Sequence, residues 1–79
     1  MAKVRILAFA EARELLGEGE IWVEASLSES PRLILQRLYP DKIQKLSSWR
    51  VAVDRQYWEW DRPVGTAEEI AVIPPVSGG

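Results

Sequence analysis

Residues 69–79 read Glu69-Ile70-Ala71-Val72-Ile73-Pro74-Pro75-Val76-Ser77-Gly78-Gly79. The segment Ile70-Ala71-Val72-Ile73 is apolar and rich in β-formers, and reads as a strand. Pro74-Pro75 cannot donate to a ladder, so the sheet must end there. Two prolines also favour an extended chain, and residues 74–79 are expected to project from the body as a tail. Gly78 and Gly79 have no side chains, so they can thread a narrow channel and let another protein's groups approach a terminal carboxylate closely. That carboxylate has an ordinary pKa of about 3.3–3.7 and is ionised at neutral pH. An ionised carboxylate is a poor electrophile. Acyl chemistry there needs a mixed anhydride, most economically an acyl-adenylate made from ATP, which a sulfur nucleophile or an amine could then displace. Glycine ends are common where chains fray, so a terminal Gly-Gly carries little weight alone. Its weight here comes from the strand and the Pro-Pro break directly before it.

Working outward, Val4, Ile6, Ala8 and Ala10 alternate with Arg5, Leu7 and Phe9, which predicts a strand over residues 3–10. Glu11 to Leu16 are good helix formers halted by Gly17, enough for one or two helical turns. Ile21-Trp22-Val23 supplies a short second strand after the turn at Gly17-Glu18-Gly19. Ser28 is a candidate N-cap with Pro31 early in the helix that follows. Ile34, Leu35, Leu38 and Tyr39 then recur at helical spacing until Pro40. Ile43 and Leu46 suggest one further turn. Val51 and Val53 open a strand, Asp54-Arg55 a turn, and Tyr57-Trp58-Glu59-Trp60 the return arm of a hairpin. Gly65-Thr66 marks the turn before the final strand. A hairpin, a crossing helix and a further group of strands make an α+β domain. The arrangement that fits best is a β-grasp, a mixed sheet with one main helix on one face and its first and last strands parallel neighbours. The whole chain, 1–79, is expected to be a single domain.

Period two sorts the faces. Val4, Ile6, Val51, Val53, Trp58, Trp60, Ile70 and Val72 are expected under the helix, against Ile34, Leu35 and Leu38. The four tryptophans read as packing residues, given the area each aromatic buries. Phe9, Tyr57 and Ile73 fall on the opposite face, on strands that neighbour one another in this fold. An apolar cluster on an open sheet face points to a partner surface. The competing reading is that Phe9 is covered by the Glu11–Leu16 segment and the patch is small.

Composition narrows the function. Seventy-nine residues make one small core and leave little room for a deep active site. A net charge of -2 offers no basic stripe for nucleic acid. There is no cysteine and no histidine, which removes the thiolate nucleophile and the commonest general base and metal ligand, so no metal site is expected. No apolar h-region opens the chain and no run approaches the roughly 20 apolar residues of a membrane span. A cytoplasmic, partner-dependent role without catalysis of its own is the expectation.

The segment from Glu69 to Gly79 closely resembles the tail of the MoaD family, the small subunits of molybdopterin synthase. Val4-Arg5-Ile6-Leu7-Ala8-Phe9-Ala10 with Ala12-Arg13-Glu14-Leu15 is similar to that family's first strand and helix, and Val51-Ala52-Val53-Asp54-Arg55-Gln56-Tyr57 to its hairpin. The resemblance spans the chain. It departs at Asp54, where the family commonly has Asn, and at Ala67-Glu68-Glu69, usually Gly-Asp-Glu; Ser30 to Tyr39 matches in pattern only. It implies a β-grasp, ubiquitin-like fold with no tightly bound cofactor. It also implies a terminal glycine, here Gly79, that a MoeB-like partner adenylates with ATP and that becomes a thiocarboxylate. Gly78 would be the slender neck. Pro74, Pro75, Val76 and Ser77 would enter the large subunit, MoaE, and Phe9, Tyr57 and Ile73 would sit on the interface. Two such deliveries would put the dithiolene sulfurs of molybdopterin onto precursor Z, in a heterotetramer of two small and two large subunits. Other uses of such a tail are a thiazole-pathway carrier (ThiS), a tRNA-thiolation carrier or a modifier joined to lysines. ThiS-like chains are typically shorter and lack the Ile-Pro-Pro-Val-Ser approach. A plain interaction domain with an incidental tail is the third possibility.

Overall fold

The computed structural model describes residues 2–75. In chain order these form β1 (Ala2–Ala8), α1 (Ala10–Leu16), β2 (Glu20–Ala25), α2 (Pro31–Leu38), α3 (Ile43–Leu46), β3 (Arg50–Val53), β4 (Gln56–Trp58) and β5 (Glu69–Ile73). The five strands make one mixed sheet in the order β2-β1-β5-β3-β4. β1 and β5 run parallel at its centre, with Ile6 opposite Ile70 and Ala8 opposite Val72. The other pairings are antiparallel. This is the ubiquitin-like α+β arrangement expected from the sequence. No helix among the described residues is long and apolar enough to cross a membrane.

One face of the sheet carries the core. Val4, Ile6, Val51, Val53, Ile70 and Val72 are buried together with Ile34, Leu35 and Leu46 from the helices. Leu38, Trp58 and Trp60 pack against that cluster but are only half-buried. α2 presents Pro31, Ile34 and Leu35 inward at helical spacing. Its N-cap is Ser30, whose hydroxyl accepts from the Leu33 amide at 3.2 Å. The expected cap, Ser28, instead shares a hydrogen bond with Ser26 in the preceding turn. Both serines have capping chemistry; the burial of Pro31 decides where the helix starts.

Two further expectations are corrected. β1 stops at Ala8 rather than residue 10, because Ala10 already opens α1. The chain turns sharply there, with Ala10 at φ 48, and α1 buries Ala12 and Leu16 before Gly17 ends it at φ 80. The tryptophans do not share one role. Trp49 is buried, while Trp22 is 59% exposed, since it alternates with the half-buried Ile21 and Val23 and so faces the other side of the sheet. Trp60 lies past the end of β4 and is held by its indole N–H, which donates to the Trp49 carbonyl at 2.9 Å.

The β3–β4 turn is Asp54-Arg55, with φ 49 and 70, the left-handed pair that a tight two-residue hairpin demands. One Asp54 carboxylate oxygen accepts from the Glu68 and Glu69 amides, each at 3.0 Å. The Asp54 amide in turn donates to the Glu69 carbonyl at 3.0 Å. The hairpin tip is thereby tied to the start of the central strand.

Candidate functional site

The second face of the sheet carries no helix, and strand register lays its residues out in rows. Leu7 stands opposite Ala71, Ala71 opposite Ala52, and Ala52 opposite Tyr57. One row nearer the end of β5, Ile73 pairs with Arg50, and Phe9 sits just past the end of β1. One row the other way, Arg5 lies between Trp22 and Glu69.

The small side chains of Ala52 and Ala71 form the floor of a shallow hollow of about 380 Å³, walled by Leu7, Phe9, Tyr57 and Ile73, with Arg55 and the Arg5-bonded Glu69 at its edge. The three apolar residues singled out in the sequence therefore line one depression. Phe9 is 52% and Tyr57 67% exposed, so α1 does not cover Phe9. Ile73 is half-buried. Pro74 and Pro75 continue from β5 and border an adjoining recess with Ser48, Arg50 and Tyr57. The chain thus leaves the sheet at the rim of its apolar patch. Val76, Ser77, Gly78 and Gly79 lie outside the described residues.

Charge divides this face. Arg5 is bonded to the Glu69 carboxylate and, at 3.3 Å, to Glu20, and its guanidinium lies 5.8 Å from the Trp22 ring centre. The hydrogen bond to Glu69, ahead of the other carboxylate contributions, raises the Arg5 pKa further above its ordinary value. Arg50 lies over the Tyr57 ring at 5.1 Å. Arg55 borders the apolar hollow from the hairpin tip. No group of three His, Asp or Glu side chains placed to hold a metal occurs among the described residues.

Leu7, Ala52 and Ala71 were not singled out in the sequence. Alternation within their strands is the signal that could have found them, since each lies between two buried residues of the core face. Arg50 and Arg55 were also missed.

The ThiS family model matches residues 6–79, from the first strand through the terminal glycines. The chain belongs to the ThiS family. Curated relatives carry a more specific name. A molybdopterin synthase sulfur carrier subunit of Dictyostelium discoideum is 36% identical, covering 95% of this chain and 94% of the relative. One of Caenorhabditis briggsae is 40% identical, with all of both chains covered. Among solved structures, SAMP1 from Haloferax volcanii superposes with a TM-score of 0.80 at 19% identity, over 99% of this chain and 100% of its own. At that identity the likeness speaks for the fold of this ThiS-family chain. The family name is shared with the thiazole-pathway carrier considered above, whereas the curated relatives are synthase subunits.

Proposed function

We propose that this chain is the sulfur carrier subunit of a molybdopterin synthase and works in the cytoplasm. The observation that carries the reading is a juxtaposition. The central strand β5 runs straight into Pro74-Pro75, and an apolar hollow on the described open face lies beside that exit. A partner docked on the patch is well placed to receive whatever follows Pro75. The whole-length likeness to named sulfur carrier subunits supports the same reading.

In this reading the Gly79 carboxylate attacks the α-phosphorus of ATP on a MoeB-like enzyme, pyrophosphate leaves, and an acyl-adenylate forms. A sulfide-level sulfur nucleophile then adds to the acyl carbon and expels AMP, leaving a thiocarboxylate. Gly78 keeps the neck narrow, and Pro74, Pro75, Val76 and Ser77 reach into the large subunit. Phe9, Tyr57 and Ile73 hold the two proteins together. The thiocarboxylate sulfur passes to precursor Z, and two deliveries complete the dithiolene, with the catalytic side chains supplied by the large subunit. Two small and two large subunits form the working assembly.

Intact-mass analysis tests the first half of this scheme. Chain incubated with the adenylating enzyme, ATP and a sulfur donor should gain about 16 Da, one oxygen exchanged for sulfur, in its last peptide. Mass gained on an internal residue, or no gain under sulfur-replete conditions, refutes the carrier reading. Conversion of precursor Z by the thiocarboxylated chain with the large subunit separates the synthase role from a thiazole or tRNA-thiolation carrier and from a lysine-linked modifier.

A further inference from the structure

Of the seven arginines of this chain, Arg5, Arg32 and Arg37 are each bonded to carboxylates. Arg13, Arg50, Arg55 and Arg62 make no salt bridge among the described residues, and of these Arg50 and Arg55 line the recesses around the exit of β5. Arg50 stands over Tyr57 beside Pro74-Pro75, and Arg55 stands at the hairpin tip on the rim of the hollow that Leu7, Phe9, Tyr57 and Ile73 wall. Arg55 also holds a backbone angle, φ 70, at the hairpin position where glycine is the favoured residue. A long cationic side chain kept in a conformation unfavourable to it points to a use for that side chain.

We propose that Arg50 and Arg55 are the charged anchors of the docking face. The large subunit that receives the tail then meets them with carboxylates set on either side of an apolar centre. The inference rests on the carrier reading above and adds the chemistry of the partner's surface. An apolar patch alone fits many proteins; two unpaired guanidiniums flanking it select an acidic-rimmed one and turn away a basic one. Arg5 is excluded from this role because Glu20 and Glu69 already neutralise it.

The experiment measures binding of the chain to the synthase large subunit from the same genome by calorimetry, at about 50 and about 200 mM salt, a range over which exposed charges become strongly screened. The variants are Arg50→Glu, Arg55→Glu, the double reversal, and Arg55→Gly. Wild-type affinity should fall with salt. Each reversal should weaken binding about tenfold and flatten the salt dependence without lowering the melting temperature of the free chain. Arg55→Gly should separate two properties, raising the melting temperature by a few degrees while weakening association. A double reversal that binds like wild type with the same salt dependence overturns the inference and leaves the carrier reading standing. Failure of the wild-type chain to bind the large subunit at all, visible before any variant is made, overturns both.

Discussion

Replacing Asp54 by alanine tests whether the hairpin tip is tied to the central strand by one carboxylate oxygen. Two backbone donors, the Glu68 and Glu69 amides, rest on that oxygen at 3.0 Å each. Asp54 is exposed, so in Asp54→Ala water replaces part of what is lost. Each bond then contributes toward the lower end of the usual range, roughly 0.5–1 kcal/mol. Alanine also tolerates the φ of 49 less well than aspartate or asparagine, which adds a few tenths. The sum is about 1–2 kcal/mol, and at about 4–8 °C per kcal/mol for a domain of this size the melting temperature should fall by roughly 4–15 °C. Asp54→Asn keeps the acceptor oxygen and the left-handed tolerance, and removes a negative charge next to Glu68 and Glu69. It should stay within about 0.5 kcal/mol of wild type. Thermal denaturation followed by circular dichroism gives the comparison, and hydrogen exchange at the Glu68 and Glu69 amides locates it. The reasoning fails if Asp54→Ala melts with wild type, or if the asparagine variant is damaged as badly as the alanine one.

Two further tests follow from the same structure. Ile70, fully buried between Ile6 and Val53, should cost about 2–5 kcal/mol when cut to alanine, a large share of the roughly 4–12 kcal/mol expected for so short a chain. Phe9→Ala, at an exposed site, should cost under about 1 kcal/mol in the same urea titration; equal losses from the two would invert the assignment of the faces. Tyr39 is raised above its ordinary pKa, first by burial and then by the charge of Glu18. Its folded value exceeds its unfolded one, so the stability it contributes is complete below about pH 10 and is lost as pH climbs through the folded value. Urea unfolding between about pH 9 and 11 should show that decline, and Tyr39→Phe should flatten it; an unchanged slope in the variant would falsify the attribution.

Most of the sheet was legible because its central strands bury one face and the alternation is clean. Val4, Ile6, Val51, Val53, Ile70 and Val72 separate from their neighbours without ambiguity, and Pro74-Pro75 fixes where β5 stops. Ends and edges were harder. Ala10 sits in an alternating run and also beside six helix formers, and only the burial of Ala12 and Leu16 shows that the helix wins. Ser28 and Ser30 offer the same hydroxyl, and packing of Pro31 chooses between them. Trp22 was read by its size rather than by its place in the Ile21-Trp22-Val23 alternation, which puts it on the open face. Phe9, Tyr57 and Ile73 could be placed on that face from periodicity alone. The isolation of Arg50 and Arg55 could not, since whether a charge is neutralised depends on which carboxylates the fold brings near it.

The position of β5 has a mechanical consequence. It is flanked on both sides, by β1 in parallel and β3 antiparallel, and Pro74 and Pro75 follow directly from its end. A pull on the chain beyond Pro75, such as the proposed withdrawal from a partner's channel would apply, loads both ladders in shear. Their hydrogen bonds then share the force instead of opening one after another from an edge. On the core side Ile6, Val51 and Val53 from the neighbouring strands pack with Ile70 and Val72 of β5 and resist its sliding. If the tail works as proposed, the domain could be tugged free by that end and keep its fold for another round.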